Sequence, residues 1–244
     1  MPFPVPSPTA ASPGFTLRDS GFSYNDAPLL APLRLDLRPR EIVAILGPSG
    51  SGKSTLLKRL AGLLPGGAAT DLPGRIAWMA QQDLLLPWLS LRENVLLGAR
   101  LRGEAADAAA ADALLARLGL GAWTTARPAA LSGGMRQRVA LARTLIENRP
   151  LVLMDEPFSA LDAITREEMQ DLACELLADR CVMLVTHDPA EACRIADRIF
   201  VLSGRPAVLS EVAAFPARGP RDTLADDILP VLRRVHDLLR EAAP

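Results

Sequence analysis

The stretch Ile42-Val43-Ala44-Ile45-Leu46-Gly47-Pro48-Ser49-Gly50-Ser51-Gly52-Lys53-Ser54-Thr55 joins five apolar residues to a glycine-rich loop and then to a run carrying Leu56, Leu57 and Leu60. A continuous apolar run predicts a strand buried on both faces, as in a parallel sheet covered by helices. Gly47–Thr55 matches the phosphate-loop pattern in full, and it sits where that pattern works, between a strand and a helix. Glycines let backbone N–H groups turn inward around a phosphate. The helix N-terminus adds the positive end of its dipole. Lys53 can reach the β- and γ-phosphates, and the Ser54 hydroxyl suits Mg²⁺. An ordinary Gly/Ser turn would need neither the strand nor the lysine nor the serine in this register.

Two further motifs extend the reading. Leu151-Val152-Leu153-Met154-Asp155-Glu156 is an apolar strand that ends in two carboxylates. Carboxylates at the end of a buried strand are costly unless a cation or a reaction partner compensates. Asp155 suits a Mg²⁺ shell, and Glu156 suits a general base for an attacking water. The second motif is Leu131-Ser132-Gly133-Gly134-Met135-Arg136-Gln137-Arg138. Ser132 is a good helix N-cap. A cap alone needs no glycine pair in the first turn, where glycine costs helix stability. The pair makes sense if the backbone must closely approach a phosphate. One molecule can hardly grip one nucleotide from both this place and Gly47–Thr55, which points to a dimer.

Composition sets the outer bounds. The 244 residues suffice for one large domain or two small ones, and 49% are hydrophobic, enough for a sizeable core. A net charge of −1 supplies no basic field to recruit nucleic acid. No apolar run approaches the ~18 residues of a membrane span, and no secretory signal is read at the N-terminus. A cytosolic protein is expected. Cys174, Cys181 and Cys193 have no metal-ligand spacing and read as small buried apolar residues in a reducing compartment. Lys53 and Lys58 are the only lysines, Tyr24 the only tyrosine, and His187 and His236 the only histidines.

Residues 1–14 carry Pro2, Pro4, Pro6, Pro8 and Pro13 and are expected to be extended and disordered. The pattern predicts strands near 15–18, 33–37, 41–46, 75–79, 151–155, 182–186 and 198–203. It predicts helices near 53–63, 91–101, 104–118, 132–147, 160–179 and 188–196. The stretch 88–147 is almost purely helical, so a helical subdomain is expected to interrupt the α/β body. Leu224, Ile228, Leu232, Val235 and Leu239 recur at helical spacing, which predicts an amphipathic helix over 224–241 within a C-terminal extension at 211–244.

Together these motifs resemble the nucleotide-binding subunits of ATP-binding cassette (ABC) transporters, in the family's order, over about residues 15–210. The resemblance implies a P-loop NTPase core with an inserted helical subdomain and a small N-terminal antiparallel β region, binding ATP and Mg²⁺. It implies that Gly47–Thr55 is the Walker A loop, with Gly47, Pro48, Ser49, Gly50, Ser51, Gly52, Lys53, Ser54 and Thr55 all at the nucleotide. Leu151–Glu156 is then the Walker B strand. Ser132, Gly133, Gly134 and Gln137 belong to the signature that binds the nucleotide of the opposite subunit. Ser159-Ala160-Leu161-Asp162 matches the D-loop at the dimer interface, and His187 matches the switch histidine. Gln81 rather than Gln82 matches the Q-loop glutamine, a Mg²⁺ and water contact, because Pro87 follows it by six residues as in related importers. Tyr24 matches the aromatic residue stacked on adenine, a role its flat apolar ring suits. Only 28 positions separate Lys53 from Gln81. Residues 64–77 therefore compress a small strand region of the family.

The segments Gln81–Trp88 and Pro157–Arg166 resemble importers of the nitrate, sulfonate and taurine group, and within it subunits serving uptake of hydroxymethylpyrimidine, a thiamine precursor. By this resemblance the partners are a second ATP-binding subunit, a homodimer being expected, and integral membrane permease subunits. A solute-binding protein outside the membrane takes part indirectly. The chain would then sit peripherally on the cytoplasmic side of the membrane. Leu84, Leu85, Leu86, Pro87 and Trp88 either belong to the core of the helical subdomain or form a groove for a permease helix. A soluble single-cassette ATPase not coupled to transport is the alternative. A cassette for translation or repair would carry tandem copies or a long coiled coil, and a module that binds without hydrolysing would lack Glu156. Leu131–Arg138 argues against a kinase or GTPase.

Overall fold

The computed structural model describes residues 14–25, 27–64 and 76–242. The sequence-based expectations for residues 1–13 and for most of the compressed segment 64–77 therefore lie outside the described residues.

The strands are β1 (Phe15–Asp19), β2 (Phe22–Tyr24), β3 (Ala27–Leu30), β4 (Leu33–Leu37), β5 (Ile42–Leu46), β6 (Ile76–Met79), β7 (Leu151–Asp155), β8 (Cys181–Val185), β9 (Arg198–Gly204) and β10 (Ala207–Ala214). The α-helices are α1 (Lys53–Leu60), α2 (Leu91–Val95), α3 (Leu97–Leu101), α4 (Ala108–Arg117), α5 (Gly133–Ile146), α6 (Ala163–Leu176), α7 (Pro189–Ile195) and α8 (Leu229–Glu241). One mixed sheet runs in the order β2-β3-β10-β9-β5-β8-β7-β6, and β1 pairs with β4 in a small antiparallel sheet. The centre of the large sheet is parallel: β5 lies between β8 and β9, and β7 between β6 and β8. The expected α/β core and small antiparallel region are thus both present.

The two-sided burial inferred for β5, β7 and β8 is directly visible. Ala44 and Leu46 of β5, Val152 and Met154 of β7, and Val182 and Leu184 of β8 join one core with α5, α6, α7 and α8. Val43 and Ile45, Leu151 and Leu153, and Met183 and Val185 join another core with α1 and the β1–β4 sheet. Successive side chains of a strand point to opposite faces, so every position in these strands must be apolar. The helical stretch between β6 and β7 shares the first core: Leu91, Val95, Leu115 and Leu118 pack with residues of the sheet.

The second core is closed by an ion pair. Arg59 of α1 donates Nε to Asp19 Oδ2 at 2.7 Å and Nη2 to Asp19 Oδ1 at 3.0 Å, with both side chains at most 2% exposed. The guanidinium also donates to the Gly21 carbonyl and stacks over the Phe22 ring at 4.8 Å. It ties the antiparallel sheet to the helix that carries the phosphate loop.

Several boundaries differ from those expected of the sequence. Strands β2, β3 and β10 are not among the predicted strands, because they are short or mostly exposed. The expected domain limit at 210 falls inside β10, which pairs antiparallel with β9 after a turn at Gly204, where φ is +89°. The C-terminal helix begins at Leu229, with Pro230 in its first turn, rather than at 224. Leu224 sits in the preceding turn, where its N–H donates to Asp222 Oδ1, and its side chain stays exposed. Helix α4 begins later than expected, because the Asp107 side chain caps it by accepting from the Ala110 N–H. The stretch 91–101 holds two short helices, α2 and α3.

Candidate active site

Three strands deliver the site. β5 leads into the loop 47–52, β7 ends at Asp155 and Glu156, and β8 ends just before Thr186 and His187. The carboxyl ends of adjacent parallel strands are where α/β sheets collect their ligands.

The loop geometry follows from its glycines. Gly50 and Gly52 adopt φ of +79° and +95°, which a residue with a side chain seldom takes up. A Cβ on Gly47 would lie 2.5 Å from the Leu202 carbonyl oxygen, so only glycine fits there. Lys53 is buried. It donates Nζ to the carbonyls of Gly47 and Pro48 at 2.7 and 2.9 Å, leaving one of its three N–H bonds for a phosphate. Burial pushes its pKa down, while the carboxylates of Glu156 and Asp155 push it up. The Ser51 hydroxyl oxygen is buried and has no hydrogen-bond partner among the described residues. A buried polar atom without a partner costs stability unless a ligand satisfies it. With the left-handed glycines, it is the internal sign that the loop fits a phosphate group. Pro48, Ser49 and Thr55 lie in the loop and in the first turn of α1 as expected.

Asp155 is buried at the end of β7 and accepts from the Ser54 hydroxyl at 3.0 Å. Burial raises its pKa, and the Ser54 hydrogen bond opposes that rise. Glu156 follows with φ of +50° and its N–H on the Val185 carbonyl. This left-handed backbone turns the Glu156 carboxylate across the strand ends. There Gln81 Nε2 donates to its Oε2 at 3.2 Å, and His187 Nδ1 lies 3.2 Å from its Oε1. Gln81, not its neighbour Gln82, is the glutamine that reaches this carboxylate. Ser54, Gln81 and Asp155 offer oxygen donors to a hard divalent cation. Among the described residues no group of three His, Cys, Asp or Glu forms a self-contained metal cage. A hydroxyl, an amide oxygen and a carboxylate fit Mg²⁺, a hard cation that takes oxygen ligands and completes its shell with waters and substrate phosphates.

The remaining expected residues fall into two groups. Tyr24 ends β2 at the edge of the sheet and is 68% exposed, so its ring face is open to a base. Ser132 caps α5 by accepting from the Met135 N–H at 3.3 Å, and Gly133 is exposed beside it. The first N–H groups of a helix have no partner within it, so this turn offers donors to a phosphate from outside. Gln137 and Asp162 are committed differently. Gln137 is buried, and its amide serves the backbone of its own chain: Nε2 donates to the Glu156 carbonyl at 3.0 Å and Oε1 accepts from the Ala160 N–H at 2.8 Å. Asp162 caps α6 through the Thr165 N–H, and that hydrogen bond lowers its pKa. Both residues shape the turn between β7 and α6.

The sequence motifs missed three side chains near the site. Arg136 pairs with Asp83 at 3.0 Å, and Arg143 donates to the carbonyls of Asp83 and Leu84, so α5 holds the segment after Gln81. Arg166 holds the turn after β7. Arg136 lies inside the octapeptide Leu131–Arg138, Arg166 ends the run Pro157–Arg166 and Arg143 follows on α5. On a helix face an arginine carries no pattern that marks its role. A cleft of about 390 Å³ lies between the segment Gln81–Leu84 and the α5 start, with Gly133, Gln137 and Ala160 in its wall.

A phosphate loop, a carboxylate pair and a glycine pair opening a separate helix are now all in place. The sequence profile described as ABC transporter matches residues 30–159, which is more than half of the chain. The chain belongs to the ABC transporter family. It is 41% identical over 231 residues to an aliphatic sulfonates import ATP-binding protein of Paracoccus denitrificans (strain Pd 1222), covering 93% of each chain. It is 45% identical over 216 residues to an uncharacterized ABC transporter ATP-binding protein of Haemophilus influenzae, covering 84% of this chain and 90% of the other. Among solved structures it resembles a dimeric ATP-binding cassette in a post-hydrolysis state with ADP and Pi. That match has a TM-score of 0.69 and 29% identity, and covers 82% of this chain and all of the other. It also resembles an inward-facing, putative metal-chelate type ABC transporter, with a TM-score of 0.70 and 27% identity, covering 90% and 89%. As an ABC cassette the chain is an ATP-binding ATPase. No helix among the described residues is long and apolar enough to cross a membrane.

Proposed function

We propose that two copies of this chain bind two ATP molecules at a shared head-to-tail interface and drive an import permease in the membrane. The observation that carries this reading is the division of the site. Glu156, Gln81 and His187 converge within one chain, whereas the first turn of α5 presents Ser132 and Gly133 to solvent. A second subunit would bring that turn onto the phosphate held by the loop 47–53. The similar structures that are dimeric cassettes support a dimer.

The chemistry then follows from the groups in place. The loop N–H groups and Lys53 neutralise the β- and γ-phosphates, and the partner's α5 turn closes the far side. Mg²⁺, when bound, neutralises charge that develops on the phosphate oxygens; Ser54, Gln81 and, through water, Asp155 would hold it. Glu156 draws a proton from a water aimed at the γ-phosphorus. His187 orients the Glu156 carboxylate and the γ-phosphate, and Tyr24 stacks on the adenine. Opening and closing of the dimer would be passed to the permease near Leu84 and Trp88, which are exposed beside the segment held by Arg136 and Arg143. Trp88→Ala tests that surface: unchanged transport and permease binding in an active ATPase would exclude it.

Relatives named for aliphatic sulfonate import support an import system of that group, and aliphatic sulfonates are the first solutes to test. The names of these relatives contain no pyrimidine, so the narrower hydroxymethylpyrimidine reading draws no support from them. The chain itself would work peripherally, on the cytoplasmic face of the membrane. The deciding experiment is Glu156→Gln with Mg-ATP. Turnover is expected to fall by at least about a hundredfold, with a dimer trapped in gel filtration; normal turnover excludes Glu156 as the base.

A further inference from the structure

The turn Pro157–Asp162, which follows the hydrolytic strand, is gripped from two sides. From α5, the Gln137 amide holds the Glu156 carbonyl and the Ala160 N–H. From α6, Arg166 donates Nη2 to the Leu161 carbonyl at 2.9 Å and Nε to the Phe158 carbonyl at 3.4 Å. The same guanidinium reaches a second loop, where its Nη1 lies 3.7 Å from Asp188 Oδ2. Asp188 is the N-cap of α7. Its Oδ1 accepts from the N–H groups of Ala190 and Glu191, and its own N–H donates to Thr186 Oγ1 at 3.1 Å. His187 hangs between these two anchored residues.

The His187 side chain is 65% exposed, so packing does not fix its ring. Its place beside Glu156 depends on the backbone from Thr186 to Asp188. The Arg166–Asp188 pair is about one-third exposed on both sides, and such a pair contributes little to global stability. Its position matters more than its energy, because one planar fork spans the turn after β7 and the turn after β8. We propose that Arg166 is a positioning residue for hydrolysis: it locks the turn Phe158–Leu161 to the Asp188 cap and thereby keeps His187 on Glu156. The proposal rests on the roles given above to Glu156 and His187. In the two-copy arrangement the same turn meets the partner subunit, so closure of the dimer would reach His187 through this side chain. A lysine could make one of these contacts but not the fork.

The test is steady-state ATPase kinetics on the full chain as wild type, Arg166→Lys, Arg166→Ala, His187→Ala and the double variants, with a melting temperature for each. Arg166→Ala is expected to lower kcat about tenfold or more while KM for ATP stays within about twofold, as when an interaction needed only at the transition state is lost. Arg166→Lys should fall between it and wild type. The melting temperatures should stay within about 4 °C of wild type, as for an exposed pair. The decisive readout is coupling: on the His187→Ala background, replacing Arg166 should cost no further activity, because the arginine acts through the histidine. Losses that multiply in the double variants, or wild-type kcat in both arginine variants, overturn the proposal. If Arg166→Ala does not fold, the cycle with Arg166→Lys decides. A His187→Ala protein with wild-type kcat would show a different failure, that of the site reading itself, and Arg166 would fall with it.

Discussion

The side-chain amide of Gln137 donates to the backbone carbonyl of Glu156 at 3.0 Å, so the helix that starts with the glycine pair is tied directly to the residue that ends the carboxylate strand. The other end of the amide accepts from Ala160, and the side chain is 5% exposed. Gln137→Leu would remove both hydrogen bonds, at a cost of about 0.5–1.5 kcal/mol each. The Glu156 carbonyl would still accept from the Ser159 hydroxyl at 3.1 Å, and Ala160 is exposed to water. The melting temperature should drop by about 3–8 °C, and kcat should fall because the left-handed turn at Glu156 loses a support. Calorimetry with ATPase kinetics checks both. An unchanged melting temperature would mean that water replaces the amide.

The Asp19–Arg59 pair makes a prediction about stability alone. Asp19→Ala leaves a guanidinium 2% exposed with its carboxylate gone, and removing one partner of a buried pair costs about 3–5 kcal/mol. In a chain of this size that is a fall of roughly 10 °C or more in melting temperature. Asp19 lies outside the phosphate loop, so ATP affinity per folded molecule should hold. Titration with ATP below the new melting temperature tests the separation. A loss of affinity that matches the loss of stability would show that the pair also sets the loop through α1.

What is legible in the sequence, and what is not, follows from the physics of each element. The strands β5, β7 and β8 are legible because a strand covered on both faces must be apolar at every position, as Val152, Leu153 and Met154 are. The site residues on them are legible because glycines, a lysine and carboxylates at strand ends have few other reasons to be there. β2 and β3 are not, because three- and four-residue edge strands such as Phe22–Tyr24 leave no period to detect. β10 escapes because its central residues are mostly exposed and mixed in polarity. The start of α8 is displaced in the sequence pattern because Leu224 keeps helical spacing with Ile228 while it sits in a turn. Gln137 reads as a ligand contact because the spacing of a motif gives position but not the direction in which an amide points.

Glu191 adds a pH-dependent prediction. It lies in the first turn of α7, 5% exposed, with Oε1 lacking a hydrogen-bond partner among the described residues. Burial raises its pKa to about 8, with the Asp188 carboxylate adding to the rise; Thr186 and Arg166 act against it, and Glu156 acts with it. In the unfolded chain such a carboxyl titrates near 4.5. Between these values the folded protein keeps a proton that the unfolded chain releases. The stability this group contributes is therefore complete below about pH 4.5 and is lost as pH rises through about 8. Glu191→Gln keeps the shape and has no proton to release. Its melting temperature should exceed that of wild type by a margin that widens from pH 5 to pH 8 and then levels off. A tenfold difference in proton affinity is worth about 1.4 kcal/mol, or about 3–5 °C here. Melting curves at five pH values decide it, and a constant margin would mean that the carboxyl is ionised in the fold throughout.

The glycine pair separates folding from assembly. Beyond its chain neighbours and the backbone of its own helix, a Cβ on Gly133 would meet only Arg136 Nη2, at 3.9 Å, whereas one on Gly134 would come within 3.0 Å of Leu161 Cδ2. Nothing within the described chain therefore requires glycine at 133. Alanine is also the better helix former, by up to about 1 kcal/mol. Gly133→Ala should melt at the wild-type temperature or up to about 3 °C above it, while Gly134→Ala should melt lower as Leu161 is pushed aside. If Gly133 is glycine because a phosphate bound to the other subunit must approach its N–H, the added methyl group blocks that approach. Gly133→Ala in the Glu156→Gln background should then bind ATP as one copy but fail to form the ATP-trapped dimer expected of Glu156→Gln alone. Light scattering with and without Mg-ATP reads this directly. A dimer that forms normally with alanine at 133 would remove the phosphate as the reason for the glycine and would leave Ser132 as a helix cap only.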